Sequence, residues 1–142
     1  MNIFATVRQE LIISLESIFP DYNNWNSIVV EPPKDPSHGD MATNAALVLA
    51  KPLGMKPVDV ASKIVNDLQN NPLFKSLSVA GPGFINIYLQ ENILYQVILE
   101  ILSRGKNFGS SNIGGNQKVN VEYVSANPTG PMHIGHSRGA VY

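Results

Sequence analysis

The 142 residues contain no cysteine. That one absence excludes disulfide scaffolds, thiolate metal centres and thiol nucleophiles. Long apolar runs are also missing, and none approaches the ~18 residues that a membrane-spanning helix needs. The opening MNIFATVRQE lacks the basic-then-apolar order and small-residue cleavage site of a secretory leader. A soluble, cytoplasmic protein with no membrane partner is the expectation. There is no excess of charge of either sign: ten Lys and Arg stand against eleven Asp and Glu, a formal net charge of −1. A chain so balanced lacks the broad basic face of a non-specific nucleic-acid binder, so any nucleic acid must be met locally. What is present is a 44% hydrophobic content, enough for a real core and against global disorder. Eleven Gly and ten Pro punctuate the chain often, which predicts short elements of mixed class.

Periodicity places those elements. Val7, Leu11, Leu15 and Ile18 share one stripe and predict a helix over 3–18, ended by Pro20. Ile28-Val29-Val30 reads as a short strand stopped by Pro32 and Pro33. Asp40 is placed to cap a helix running through Ala50, broken by Pro52 and Gly54. Pro57 suits a first helical position, and Ala61, Ile64, Val65 and Leu68 form the apolar stripe that follows. A hairpin comes next, from Leu77–Ala80 through Gly81-Pro82-Gly83 to Phe84–Leu89. Ile85, Ile87 and Leu89 alternate there with Phe84, Asn86 and Tyr88. The helix over 91–103 is expected to turn Leu94, Val97, Ile98, Ile101 and Leu102 inward, with Gly105 just past its end.

Residues 105–117 (GKNFGSSNIGGNQ) cannot build a core and mark a boundary. The expected organisation is a first domain over 1–108, a linker over 109–117 and the start of a second domain over 118–142. Lys118–Val124 reads as a strand, SANPTGPM as a loop and HIGHSRG as a helix start, the opening of a parallel α/β unit. One strand and a turn or two of helix cannot bury themselves, so the chain reads as the front of a longer protein.

His133 and His136, three apart, share one side of that helix start. Imidazole donors beside unpaired N–H groups suit phosphate and the charge that develops when a phosphate bond breaks. Gly135 between them lets a flat ring approach the backbone. A metal pair is the rival reading, but no third ligand is evident nearby. Ordinary solvated histidines are the bland one. His38-Gly39-Asp40 reads as turn and cap chemistry, and Gly81-Pro82-Gly83 as a turn. Phe84, Asn86 and Tyr88 share a face on which an aromatic beside an amide can stack an unpaired base and read its edge. Packing of those aromatics beneath the fourth helix is the even alternative. Lys51, Lys56 and Lys75 are basic residues that could hold nearby phosphate.

His133-Ile134-Gly135-His136 matches the HIGH signature of class I aminoacyl-tRNA synthetases. With Glu122-Tyr123-Val124-Ser125-Ala126-Asn127-Pro128-Thr129-Gly130-Pro131 before it, the segment resembles arginyl-tRNA synthetase. HGDMATNAA (His38 to Ala46) and GPGFINI (Gly81 to Ile87) resemble that family's N-terminal additional domain. The resemblance implies an α+β first domain of two layers, with helices on one face of a small, mainly antiparallel sheet. The first strand and helix of a Rossmann-like α/β catalytic domain follow. It further implies an arginine–tRNA ligase as the full-length parent: ATP, with Mg2+, activates arginine to arginyl-adenylate, and the arginyl group passes to the tRNA 3′ end. His133 and His136 are implied as catalytic and, with Gly135, as ATP-binding. Ser125, Asn127 and Glu122 are implied near arginine, and Phe84, Asn86 and Tyr88 at the tRNA D-loop. No protein-bound metal is implied. A KMSK-type loop is absent from the sequence, so this chain alone is expected not to catalyse. The alternatives are a free-standing RNA-binding module related to that domain and a small nucleotidyl-transfer enzyme sharing the HIGH site.

Overall fold

The computed structural model describes residues 2–127 and 129–141. The chain divides into two compact units, Met1–Phe108 and Gly109–Tyr142. In the first, helix α1 (Ile3–Ile18) starts where the Asn2 side chain accepts the Ala5 N–H, and it buries Val7, Leu11 and Leu15 along one stripe. Helix α2 (Ala45–Leu53) packs against helix α3 (Pro57–Leu68), and α3 packs beside α1. Strands β1 (Val30–Glu31), β2 (Met41–Thr43), β3 (Phe74–Ala80) and β4 (Phe84–Leu89) form one antiparallel sheet in the order β1-β2-β4-β3. Met41, Phe74, Ile85, Ile87 and Leu89 meet Leu11, Leu49, Val60 and Ile64 in a single core. Each such Leu or Ile removed from water contributes roughly 1.5–3 kcal/mol. The result is the two-layer α+β arrangement expected from the sequence, with helices on one face.

Several local expectations are corrected. Asp40 does not cap α2. Its backbone N–H donates to the Ile87 carbonyl, and its Oδ2 accepts the Leu89 N–H at 2.8 Å, so it extends the contact between β2 and β4. A short strand, β2, therefore follows Asp40 directly, and α2 begins beyond Asn44. Pro52 does not break α2. It sits in the last turn, one residue before the helix ends, and Gly54 closes the helix in a left-handed conformation. The Ile28–Val30 strand pairs only at Val30. The Val29 N–H and C=O go to the Asn44 Oδ1 and the Thr43 hydroxyl instead of to a neighbouring strand.

Helix α4 (Glu91–Arg104) has the expected length, and the Gly105 N–H donates to the Ile101 carbonyl. Its apolar row is not inward. No residue of α4 is buried, and Leu102 is 73% exposed. The helix-bearing face of the sheet is already filled by α1 to α3, so the row finds no layer to enter.

In the second unit, Lys118–Val124 forms no strand, because a strand exists only with a partner ladder and none is present among the described residues. The unit's one helix among the described residues is α5 (Ile134–Ala140), seven residues long.

Candidate nucleic-acid and nucleotide sites

Two places in the chain gather the residues singled out above. The first is the face of the sheet opposite α1 to α3. Alternation along β4 sends Ile85, Ile87 and Leu89 to the core and Phe84, Asn86 and Tyr88 to the other side. Across the ladder Asn86 stands between Ala42 and Ser78, Phe84 opposite Ala80, and Tyr88 opposite Ser76. Every cross-strand neighbour is small, and along the strand Phe84 and Tyr88 flank the Asn86 side chain on the same face. Asn86 is only 9% exposed, yet its side chain makes no hydrogen bond to any described residue. An amide so held offers one donor pair and one acceptor to a planar ligand. Phe84 is 41% exposed, and no residue of α4 is buried.

Tyr88 behaves differently. Its hydroxyl donates to the Ser37 carbonyl at 2.8 Å, and the residue is half-buried. Ser37 belongs to a single helical turn, Pro36–His38, whose start is held by the Asp35 carboxylate accepting the Ser37 N–H at 2.9 Å. That hydrogen bond, the Ser37 side chain and the nearby His38 hold the Asp35 carboxyl below its ordinary value of 3.8. Gly39 joins the turn to β2 at φ +112°, and a Cβ there would lie 2.7 Å from the Ile87 carbonyl oxygen. The sequence marked a turn at His38-Gly39-Asp40, but not that it lies against this face of the sheet. Of the lysines named earlier, Lys51 and Lys56 belong to the helix layer, and Lys75 lies 3.6 Å from Glu91 in an exposed ion pair.

The second place is the start of α5. His133 is its N-cap, and its Nδ1 accepts the Gly135 N–H at 3.1 Å. The His133 N–H donates in turn to the Nδ1 of His136 at 3.3 Å, a reciprocal capping box. The two rings stack with centroids 3.8 Å apart and planes 22° from parallel. Since each Nδ1 is an acceptor in this network, the neutral rings carry their protons at Nε2. Neither Nε2 has a partner among the described residues. A Cβ at Gly135 would come within 2.9 Å of the His133 ring, so a side chain there would push the ring out of this position. Glu122, Ser125 and Asn127 are exposed, and no hydrogen bond among the described residues joins them to the two histidines. Pro128, within the same motif, lies outside the described residues.

Comparison with known proteins bears on both places. Residues 5–89 match the family model described as the arginyl tRNA synthetase N terminal domain. The chain belongs to the arginyl-tRNA synthetase family. It is 46% identical over 147 aligned residues to an arginine–tRNA ligase of Jannaschia sp., which takes in the whole of this chain and 26% of that protein. It is 54% identical over 127 residues to the arginine–tRNA ligase of Nitrobacter winogradskyi, covering 89% of this chain and 21% of the relative. The chain thus spans about a quarter of the length of the curated relatives it matches. The solved arginyl-tRNA synthetase of Thermus thermophilus superposes with a TM-score of 0.55 over 96% of this chain and 21% of that one. At 18% identity, that likeness speaks for the synthetase fold alone. The family model ends at residue 89, so His133 and His136 lie beyond it, within the stretch that aligns with the Jannaschia ligase. No helix among the described residues is long and apolar enough to cross a membrane.

Proposed function

We propose that this chain is the N-terminal section of a cytoplasmic arginine–tRNA ligase. Residues 1–108 contact tRNA at its D-loop, 109–117 link, and 118–142 open the catalytic domain. The observation that carries the catalytic half is the His133–His136 pair, in which both Nδ1 atoms accept backbone N–H groups, the rings stack with centroids 3.8 Å apart and neither Nε2 has a partner among the described residues. Two adjacent donors at a helix start suit the phosphates of ATP, which enters with its Mg2+ as substrate, and Gly135 leaves room for the adenine. As the carboxylate of arginine attacks the α-phosphate and pyrophosphate leaves, such donors stabilise the added negative charge. Glu122 supplies a carboxylate for the cationic guanidinium, with Ser125 and Asn127 as its neutral companions. The arginyl group then passes to the 3′ end of tRNA.

The tRNA half rests on the Asn86 carboxamide, unpaired beside the exposed Phe84 ring. An unstacked base laid on Phe84 brings its edge to that amide. In the full-length enzyme, His136→Ala is expected to lower adenylate formation roughly 100-fold, the usual cost of one transition-state donor, with tRNA affinity little changed. Phe84→Ala is expected to do the reverse, raising the KM for tRNA about tenfold, in line with the loss of one stacked base. Pyrophosphate exchange and aminoacylation assays separate the two. The 142 residues without the remaining three quarters of the relatives' length are expected to form no adenylate; adenylate formation by this chain alone would overturn the reading.

A further inference from the structure

Tyr88 points to the same face as Phe84 and Asn86, one strand period from Asn86, or about 6.6–6.8 Å along β4. Its hydroxyl is not free as a third base contact would need it to be, because it donates to the Ser37 carbonyl in an exposed hydrogen bond. On the same turn, Asp35 accepts the Ser37 N–H, so Ser37 is held at both its N–H and its C=O. The chain after the turn is pressed onto β4: an added Cβ at Gly39 would meet both the Ile87 carbonyl, at 2.7 Å, and the Tyr88 ring, at 3.3 Å. Asp40 then bonds the Ile87 carbonyl and the Leu89 N–H.

We propose that Tyr88 is a positioning residue that seats the Asp35–His38 turn on the open face of the sheet, so that the turn walls the Tyr88 end of a single-stranded RNA base platform made by Phe84 and Asn86. The inference rests on the RNA reading of that face given above. It assigns the recognition of the base to Phe84 and Asn86 alone, and the shape of the pocket to a turn fastened at two points. Removing either fastening loosens the wall without touching the platform.

The test is an NMR titration of the 142-residue chain with an arginine tRNA transcript. The variants are Tyr88→Phe, Asp35→Ala, Asp35→Asn, Phe84→Leu and Asn86→Ala. Tyr88→Phe keeps the ring and deletes only the hydroxyl; the expected loss of affinity is five- to tenfold, with the spectrum of the core unchanged. Asp35→Ala deletes the second fastening and is expected to weaken binding to a similar degree. That direction is the opposite of what removing a negative charge near RNA does by electrostatics alone. Asp35→Asn, which keeps an acceptor for the Ser37 N–H, is expected to bind at least as tightly as the unaltered chain. The Tyr88→Phe, Asp35→Ala double variant is expected to lose little more than either single one, since both act on one turn. If Phe84→Leu and Asn86→Ala weaken binding while Tyr88→Phe and Asp35→Ala do not, the positioning role is overturned and the platform stands. If no variant changes the affinity, or the unaltered chain does not bind, the RNA reading of the face falls together with the inference.

Discussion

Gly39 sits at φ +112° with no room for a Cβ against the Ile87 carbonyl, so Gly39→Ala combines backbone strain with a collision. The expected cost is about 1–3 kcal/mol, read as a lower urea midpoint at unchanged slope. Two residues away from the turn's centre, Asp35 reports its integrity through pH. Its carboxyl titrates below its ordinary value because the ionised form accepts from Ser37. A depressed carboxyl contributes stability that is fully present above the unfolded value and is lost as the pH falls through the folded one. A carbon-detected titration is therefore expected to give Asp35 a midpoint under 3.8, and a midpoint at or above it would mean that the Ser37 N–H bond is not formed in solution. His133 and His136 were legible as a pair from their spacing. Their Nδ1 roles were not, because which nitrogen bonds the backbone depends on the geometry of the helix start.

Helices were the most readable elements. The stripes of α1 and α3 fall on Val7, Leu11 and Leu15 and on Ala61, Ile64 and Leu68, all of them buried. A 3.6-residue period needs no knowledge of what lies opposite. Short strands were harder. Met41–Thr43 shows no run of β-branched residues long enough to announce itself, and it becomes a strand because β4 lies beside it. Helix α4 shows the opposite failure, an amphipathic pattern whose apolar row meets no layer. The two kinds of stripe predict different mutational costs. Leu11→Ala or Ile64→Ala should destabilise the first unit by about 2–5 kcal/mol. Leu102→Gln on α4 should stay within ~0.5 kcal/mol. Chemical denaturation of the three variants decides it, and a large loss from Leu102→Gln would mean that α4 is covered in solution.

At the scale of the molecule, the division after Phe108 coincides with a stretch rich in Gly, Asn and Ser, which has too little apolar surface to join either side. A chain ended at Phe108 is expected to keep the thermal midpoint of the longer one, because the buried core lies entirely within the first unit. A midpoint lower by several degrees would show that the following residues support it. Membership of the arginyl-tRNA synthetase family was legible in three ordered motifs, because such motifs are local strings whose chemistry survives without a fold. So were the lengths of α1 and α4, since helix hydrogen bonds close within a few residues. The open face of the sheet was half legible: alternation put Phe84, Asn86 and Tyr88 together, but could not say that small residues stand across the ladder from Asn86 or that the Tyr88 hydroxyl is already engaged. Those facts depend on register and on a turn some fifty residues away in the chain. Contacts between segments so far apart are set by which strands pair and how the core closes, and no window of sequence contains that information.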